Sequence, residues 1–203
     1  MSLLVKICGL TTAEAIAAAV AAGADALGFV FADSPRRVTP ERAAELCQGL
    51  PARVIRVAVM RHPEQSEWQQ VQAVFRPDWL QTDAADMATL QVTDGIEKMP
   101  VYRDQPELDE DAVAANPVVL FEALHSGSGQ RADWDRAARL AARTRLILAG
   151  GLDPGNVAEA ISQVCPWGVD VSSGVESSRG IKDPARIAAF VAAARQMERK
   201  DAD

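Results

Sequence analysis

The chain has 203 residues, of which 48% are hydrophobic and 24% charged, as is typical of one soluble globular domain. Its formal net charge is −7 and no Lys/Arg cluster stands out, which argues against a nucleic-acid partner. No apolar run approaches the roughly 18 residues of a membrane span, and the first residues lack the build of a signal peptide. We therefore expect a single cytoplasmic domain over residues 1–203, with no membrane partner.

The hydrophobic pattern predicts eight strand–helix units in succession. Strands are predicted over residues 3–8, 25–31, 53–60, 78–81, 97–102, 117–121, 145–149 and 168–172. Helices are predicted over residues 11–23, 39–50, 63–75, 84–91 and 107–115, and from residues 133, 153 and 183 onward. The start and stop signals are a Thr11–Glu14 capping box, Gly23 as a helix end, Thr39–Pro40, Asp153–Pro154 and Asp183–Pro184.

Strict alternation of strands and helices implies a parallel sheet. Eight units in a chain of this length predict a closed (β/α)₈ TIM barrel, and an open doubly wound sheet is the alternative. In such barrels the active site forms at the C-terminal ends of the strands.

Three reactive side chains are predicted at this mouth of the barrel. Because alternate strand residues share a face, Leu4, Lys6 and Cys8 should face the barrel axis, with Cys8 at the top. Glu122 ends the apolar sixth strand, and Asp170 stands in the eighth. The alternative for Cys8 is a small buried hydrophobe, and for Glu122 a solvated residue where the strand meets its loop.

The cysteine and histidine counts limit the chemistry. The three cysteines, Cys8, Cys47 and Cys165, are widely spaced and fit free thiols in a reducing compartment. The two histidines, His62 and His125, form no metal-site spacing with them, so no metal is expected. Catalysis would then rely on carboxylates, thiols, lysines or backbone groups.

Two glycine-rich turns, "AGGLDPGN" from Ala149 and "SSGVESSRG" from Ser172, follow the last two strands. Loops at these positions of (β/α)₈ barrels often bind phosphate, because glycines let backbone N–H groups approach an anion closely. The alternative is a pair of tight turns that use glycine for positive φ. Both turns lie at the same end of the predicted barrel, and this shared position favours phosphate binding.

Five segments together resemble the phosphoribosylanthranilate isomerase family, enzymes of tryptophan biosynthesis. They are "VKICGLT", "GFVFADSPR", "GSGQRADW", "LAGGLDPGNV" and "GVDVSSGVESSRGIKD", spread over nearly the full length. The resemblance implies a cofactor-free Amadori rearrangement of a small-molecule substrate that carries a phosphate and an anthranilate group. The protein would be a monomer or a homodimer.

The resemblance also implies residue roles. Cys8 would be the general base, Glu122 the general acid, and Arg36 the ligand of the anthranilate carboxylate, although an ordinary solvated arginine is the alternative for Arg36. Asp170 would lie near the reacting sugar. The phosphate loops map onto Gly151, Leu152, Ser172, Ser173 and Gly174.

The chain departs from the family pattern at two positions: Glu122 stands where the family has aspartate, and Asp83 where many members have histidine. Two competing interpretations remain open at this point. One is another sugar-phosphate isomerase of the same barrel type, such as the related enzyme of histidine biosynthesis. The other is a phosphate-metabolite binding protein without catalysis.

Overall fold

The structure is a computed structural model that describes residues 2–124 and 131–200, except for the side chains of residues 199 and 200. In this part of the chain, eight parallel strands close into a barrel in sequence order, and β8 pairs with β1. The strands are β1 Leu4–Cys8, β2 Ala26–Val30, β3 Ile55–Val59, β4 Trp79–Asp83, β5 Glu97–Arg103, β6 Val118–Glu122, β7 Arg145–Leu148 and β8 Gly168–Val171. The predicted closed barrel is therefore confirmed, and the open sheet is excluded.

A helix follows each strand. The helices are α1 Ala13–Ala22, α2 Pro40–Leu46, α3 Gln65–Phe75, α4 Ala84–Met87, α5 Glu110–Ala114, α6 Trp134–Ala141, α7 Val157–Val164 and α8 Pro184–Lys200. Within the described residues, none of them is both long and apolar enough to cross a membrane.

Two of the predicted helix-start signals, Thr11–Glu14 and Asp153–Pro154, are wrong. Thr12, not Thr11, is the N-cap of α1, and its hydroxyl oxygen accepts from the Ala15 N–H at 3.2 Å. Helix α7 begins at Val157, because the Asp153 carboxylate caps an isolated turn by accepting from the N–H groups of Gly155 and Asn156. The predicted signals at Gly23, Thr39–Pro40 and Asp183–Pro184 are confirmed.

Apolar side chains form two separate layers. The outer layer lies between the strands and the helices and includes Val5, Ile7 and Phe190. The inner layer fills the barrel and includes Leu4 and Leu120. The predicted alternation along β1 is therefore confirmed, and it leaves the polar inward residues to the upper part of the barrel.

A short hairpin after β8 was not predicted. A turn of 3₁₀ helix over Ser173–Val175 leads into two short antiparallel strands, β9 Glu176–Ser178 and β10 Ile181–Lys182. Because two strands of this length bury little surface, they carry no clear hydrophobic alternation in the sequence. The hairpin holds two buried charged residues, Glu176 and Lys182, that shape the site.

Candidate active site

A cavity of about 340 Å³ opens at the C-terminal mouth of the barrel. Small-molecule sites commonly have about 300–1,000 Å³. The predicted site residues in its wall are Cys8, Arg36, Glu122, Gly151, Leu152, Asp170, Ser172 and Ser173. The structure thus brings together every predicted site residue in this wall except Gly174, which packs against Leu152.

A larger groove of about 1100 Å³ lies at the opposite end of the barrel. It is lined by residues that precede strands, such as Asn116, Arg143 and Trp167, and it contains none of the predicted site residues. In (β/α)₈ barrels that end serves stability rather than chemistry. The smaller cavity is therefore the candidate active site.

Cys8 ends β1 and faces this cavity, with 7% of its surface exposed. The neighbouring strand β2 packs closely against Cys8 at Gly28, where a Cβ would lie 2.9 Å from the Cys8 Sγ. Burial raises the pKa of the Cys8 thiol, and the nearby Lys6 ammonium opposes that rise without cancelling it. Lys6 favours the thiolate as predicted, but the desolvation of Cys8 is the larger effect.

Lys6 and Asp170 form an ion pair inside the barrel. They are register partners in β1 and β8, and the Lys6 Nζ donates to the Asp170 Oδ1 at 2.7 Å. Burial lowers the pKa of Lys6, but Asp170 and Cys8 raise it further, so that the ammonium stays charged. The pair therefore fixes the Asp170 carboxylate at the cavity floor.

Glu122 lies at the top of β6 and is 9% exposed. Its register partner in β5 is Arg103, whose Nε lies 3.4 Å from the Glu122 Oε1. The Arg103 Nη1 also contacts the Asp83 Oδ1 at 2.6 Å. One guanidinium thus contacts the carboxylates of both Glu122 and Asp83.

Asp83 also belongs to a small cluster with His62 and Asp86. One ligand atom of each residue lies within 4.8 Å of the others, a spacing that a metal ion would accept. The cluster already has cationic and hydrogen-bonding partners, because Arg103 contacts Asp83 and the Thr82 hydroxyl donates to Asp86 at 2.6 Å. We therefore assign no ion to it.

Arg36 is held by a carboxylate of the protein itself. Its Nε and Nη2 donate to the two Glu176 carboxylate oxygens at 2.6 and 2.9 Å. This uses two of the five guanidinium N–H groups and leaves the others for a second anion. Gly9 provides room for the arginine, because a Cβ there would lie 2.5 Å from the Arg36 Cδ.

The two predicted phosphate turns lie side by side. Gly150 and Gly151 have φ values of +86° and +66°, which glycine adopts without strain. The Asn156 side chain closes the first turn, since its Nδ2 donates to the Gly151 carbonyl at 2.8 Å and its Oδ1 accepts from the Asp153 N–H at 2.9 Å.

Gly174 joins the two turns by close packing. A Cβ on Gly174 would lie 2.0 Å from the Leu152 carbonyl oxygen. We expect Gly174→Ala to push the turns apart, to cost about 1–3 kcal/mol of stability and to weaken the binding of inorganic phosphate. Thermal unfolding and a phosphate titration would test this. Gly155→Ala is the matched control, because its Cβ would meet only the Asp153 Oδ1 at 3.2 Å. Equal behaviour of the two variants would contradict the prediction.

The predicted turn after the sixth strand, "HSGSGQ" over residues 125–130, lies outside the described residues. Sequence reasoning missed Arg103, Glu176 and Lys182 as parts of the site. Glu176 and Lys182 lie in "GVESSRGIKD". Their charges, two to four positions from a glycine of the predicted phosphate turn, were the signal that could have identified them.

Comparisons with known proteins agree on one family. The family model described as N-(5'-phosphoribosyl)anthranilate (PRA) isomerase matches residues 5–193. A relative from Roseiflexus sp. (strain RS-1), named N-(5'-phosphoribosyl)anthranilate isomerase, is 42% identical and covers 94% of this chain and 97% of its own length.

Solved structures give the same result. A phosphoribosylanthranilate isomerase in complex with reduced 1-(o-carboxyphenylamino)-1-deoxyribulose 5-phosphate is 33% identical, with a TM-score of 0.83 over 96% of this chain and 100% of that one. A structure of monomers of the dimeric enzyme from Thermotoga maritima is 32% identical, with the same TM-score and coverage.

Proposed function

The chain belongs to the N-(5'-phosphoribosyl)anthranilate isomerase family, and from this premise we propose that Cys8 and Glu122 carry the proton transfers of its reaction. The enzyme converts N-(5'-phosphoribosyl)anthranilate to 1-(2-carboxyphenylamino)-1-deoxyribulose 5-phosphate in tryptophan biosynthesis. The observation that carries the proposal is that Cys8 and Glu122, from β1 and β6, line one cavity.

The first step opens the ribose ring. Glu122, in its protonated form, donates a proton to the ring oxygen, and the bond between that oxygen and C1 breaks. The nitrogen lone pair forms a Schiff base at C1. A carboxyl group can donate this proton when it lies within hydrogen-bond reach of the ring oxygen.

The second step moves hydrogen between adjacent carbons. The Cys8 thiolate removes the proton on C2, and the electron pair neutralises the Schiff base to give an enolamine. Tautomerisation then places a proton on C1 and leaves a ketone at C2. C1 is reduced and C2 oxidised within one molecule, so that the reaction balances without an external electron donor or acceptor.

The anionic ends of the substrate match the two sides of the cavity. We assign the phosphate to Gly151, Leu152, Ser172 and Ser173, with Gly174 supporting these turns from behind. We assign the anthranilate carboxylate to the guanidinium edge of Arg36 that Glu176 leaves free. Asp170, fixed by Lys6, would face the sugar between them.

The proposal also covers the domain organisation, the location and the oligomeric state of the enzyme. We propose that residues 1–203 form one domain and that the enzyme acts in the cytoplasm, as expected for a biosynthetic enzyme. The state of monomer or homodimer stays a prediction, with one related structure taken from a dimeric enzyme.

Turnover of freshly prepared phosphoribosylanthranilate, followed by the loss of anthranilate fluorescence, tests the assignment. The same aminoribose phosphate joined to aniline in place of anthranilate is the comparison substrate. Because it lacks a carboxylate for Arg36, we expect its kcat/KM to be lower by at least about 10-fold, the value of a lost charged hydrogen bond. Equal turnover of the two substrates would contradict the role of Arg36, and binding without turnover would contradict catalysis.

A further inference from the structure

We propose that Lys182 is a positioning residue that couples the two anion subsites of the enzyme, one for the phosphate and one for the anthranilate carboxylate. This inference rests on the proposed function, because it concerns the same two subsites. Lys182 belongs to the β9–β10 hairpin and does not belong to the cavity wall that the described residues form.

Lys182 reaches both subsites from behind with one ammonium group. Its Nζ donates to the Ser172 carbonyl at 2.9 Å, to the Ser172 hydroxyl at 3.2 Å and to the Glu176 Oε1 at 2.8 Å. An ammonium group has three N–H donors, and these three acceptors can use them all. With its side chain 1% exposed, Lys182 is shielded from bulk solvent and makes these contacts with protein groups.

Glu176 links Lys182 to Arg36, because its carboxylate accepts hydrogen bonds from both side chains. The Glu176 carboxylate accepts from Lys182, from both donors of Arg36 and from the Gly180 N–H at 3.0 Å. Burial raises the pKa of Glu176, but these hydrogen bonds outweigh it and lower the pKa to about 2. Glu176 is therefore a permanent anion at working pH, and its forked contact sets the plane of the guanidinium.

Ser172 transmits the same position to the phosphate side. It follows β8 directly and lines the cavity. Two of the three Lys182 contacts end on Ser172, on its backbone and on its side chain. The orientation of this turn and the plane of Arg36 thus depend on one shared cation.

Charge supports a role in anion binding rather than in packing alone. Arg36, Lys182 and Glu176 together carry an excess of one positive charge, in a part of the wall that would face two anionic groups. A buried ion pair is weak evidence for stability, because an apolar pair of similar size is often as stable. Contacts with two ligand subsites would instead explain why a cation is buried here despite the free-energy cost of its desolvation.

The test measures the dissociation constants of inorganic phosphate and of anthranilate separately, by NMR titration of the full chain. We expect Lys182→Met to weaken both ligands on the order of 10-fold, the value of one or two charged hydrogen bonds. Glu176→Gln should weaken anthranilate by a similar factor and phosphate by less than about 2-fold. Lys98→Met makes the same chemical change on an exposed lysine at the other end of the barrel and should change neither constant.

Weakening of only one ligand, or of neither, by Lys182→Met would overturn the coupling. If the parent bound neither ligand, the proposed subsites would be wrong and the inference would fall with them, a result distinct from selective loss in the variant. Thermal unfolding would show whether Lys182→Met folds. If Lys182→Met does not fold, Ser172→Ala and Glu176→Gln provide the test, because both variants keep the lysine. The ligand is then reduced 1-(o-carboxyphenylamino)-1-deoxyribulose 5-phosphate, the reduced product analogue. Coupling requires that the effects of the two substitutions on its affinity be non-additive. Strict additivity would then overturn the proposal.

Discussion

A Cys8→Ser variant is expected to fold like the parent and to lose on the order of 10²–10⁴ in kcat. The thiol stands at the end of β1, where the crossing at Gly28 leaves little free space around it. Serine is slightly smaller and introduces no clash, so the fold should persist. Its hydroxyl ionises far less readily than a thiol, however, and only an ionised group can accept the proton from C2.

The other two cysteines provide matched controls for this experiment. Cys47 lies at the end of α2 and is half-buried, and Cys165 lies at the end of α7 and is exposed. Neither lines the cavity, and we expect Cys47→Ser and Cys165→Ser to keep near-parental turnover of fresh phosphoribosylanthranilate. Near-parental turnover by Cys8→Ser would remove Cys8 from the mechanism.

The pH dependence of kcat/KM provides a second test of Cys8. Burial raises the pKa of the thiol above its usual 9.0, so that the thiol form predominates at neutral pH. A base works only when it is deprotonated, so the thiolate fraction of Cys8, and with it the contribution of Cys8 to kcat/KM, should increase with pH through neutrality toward its raised pKa. A profile without this ascending limb would contradict the assignment of Cys8 as the base.

A Glu122→Gln variant is expected to lose on the order of 10²–10⁴ in kcat while it keeps its affinity for the reduced product analogue. Glutamine has nearly the same size and can still interact with Arg103 through its carbonyl oxygen. It has no acidic proton to donate to the ring oxygen. Kinetics and a titration with the analogue would separate the two effects.

Two further substitutions sharpen the interpretation of Glu122. Glu122→Asp keeps a carboxyl group but withdraws it by about one carbon–carbon bond, roughly 1.5 Å. We expect reduced but measurable turnover, because the pocket and Arg103 are arranged around the longer side chain. Glu97→Gln, exposed at the opposite end of β5, is the matched control. Parental turnover by Glu122→Gln would move the acid to another group. Asp170 would be the next candidate, although Lys6 already engages its carboxylate.

The local hydrophobic pattern of the sequence was sufficient to predict the barrel architecture and the residues that lie at its C-terminal mouth. Alternation along β1 and β6 placed Cys8 and Glu122 at the inner, upper face, because strand residues alternate with a strict period of two. The resemblance then identified the family and the reaction, which the comparisons confirm. The sequence does not select the helix starts, because neighbouring threonines such as Thr11 and Thr12 offer equivalent caps and only the packed helix selects one.

Tertiary structure alone decided how these residues are held. Arg103 meets Glu122, and Lys6 meets Asp170, through strand registers that join residues distant in the sequence. The contact between Arg36 and Glu176 requires the β9–β10 hairpin to fold over the loop after β2, across 140 positions of the chain. A sequence determines which side chains face inward, because that depends on neighbours two residues away. The partner of each charged group depends on which strands and loops become adjacent when the barrel closes.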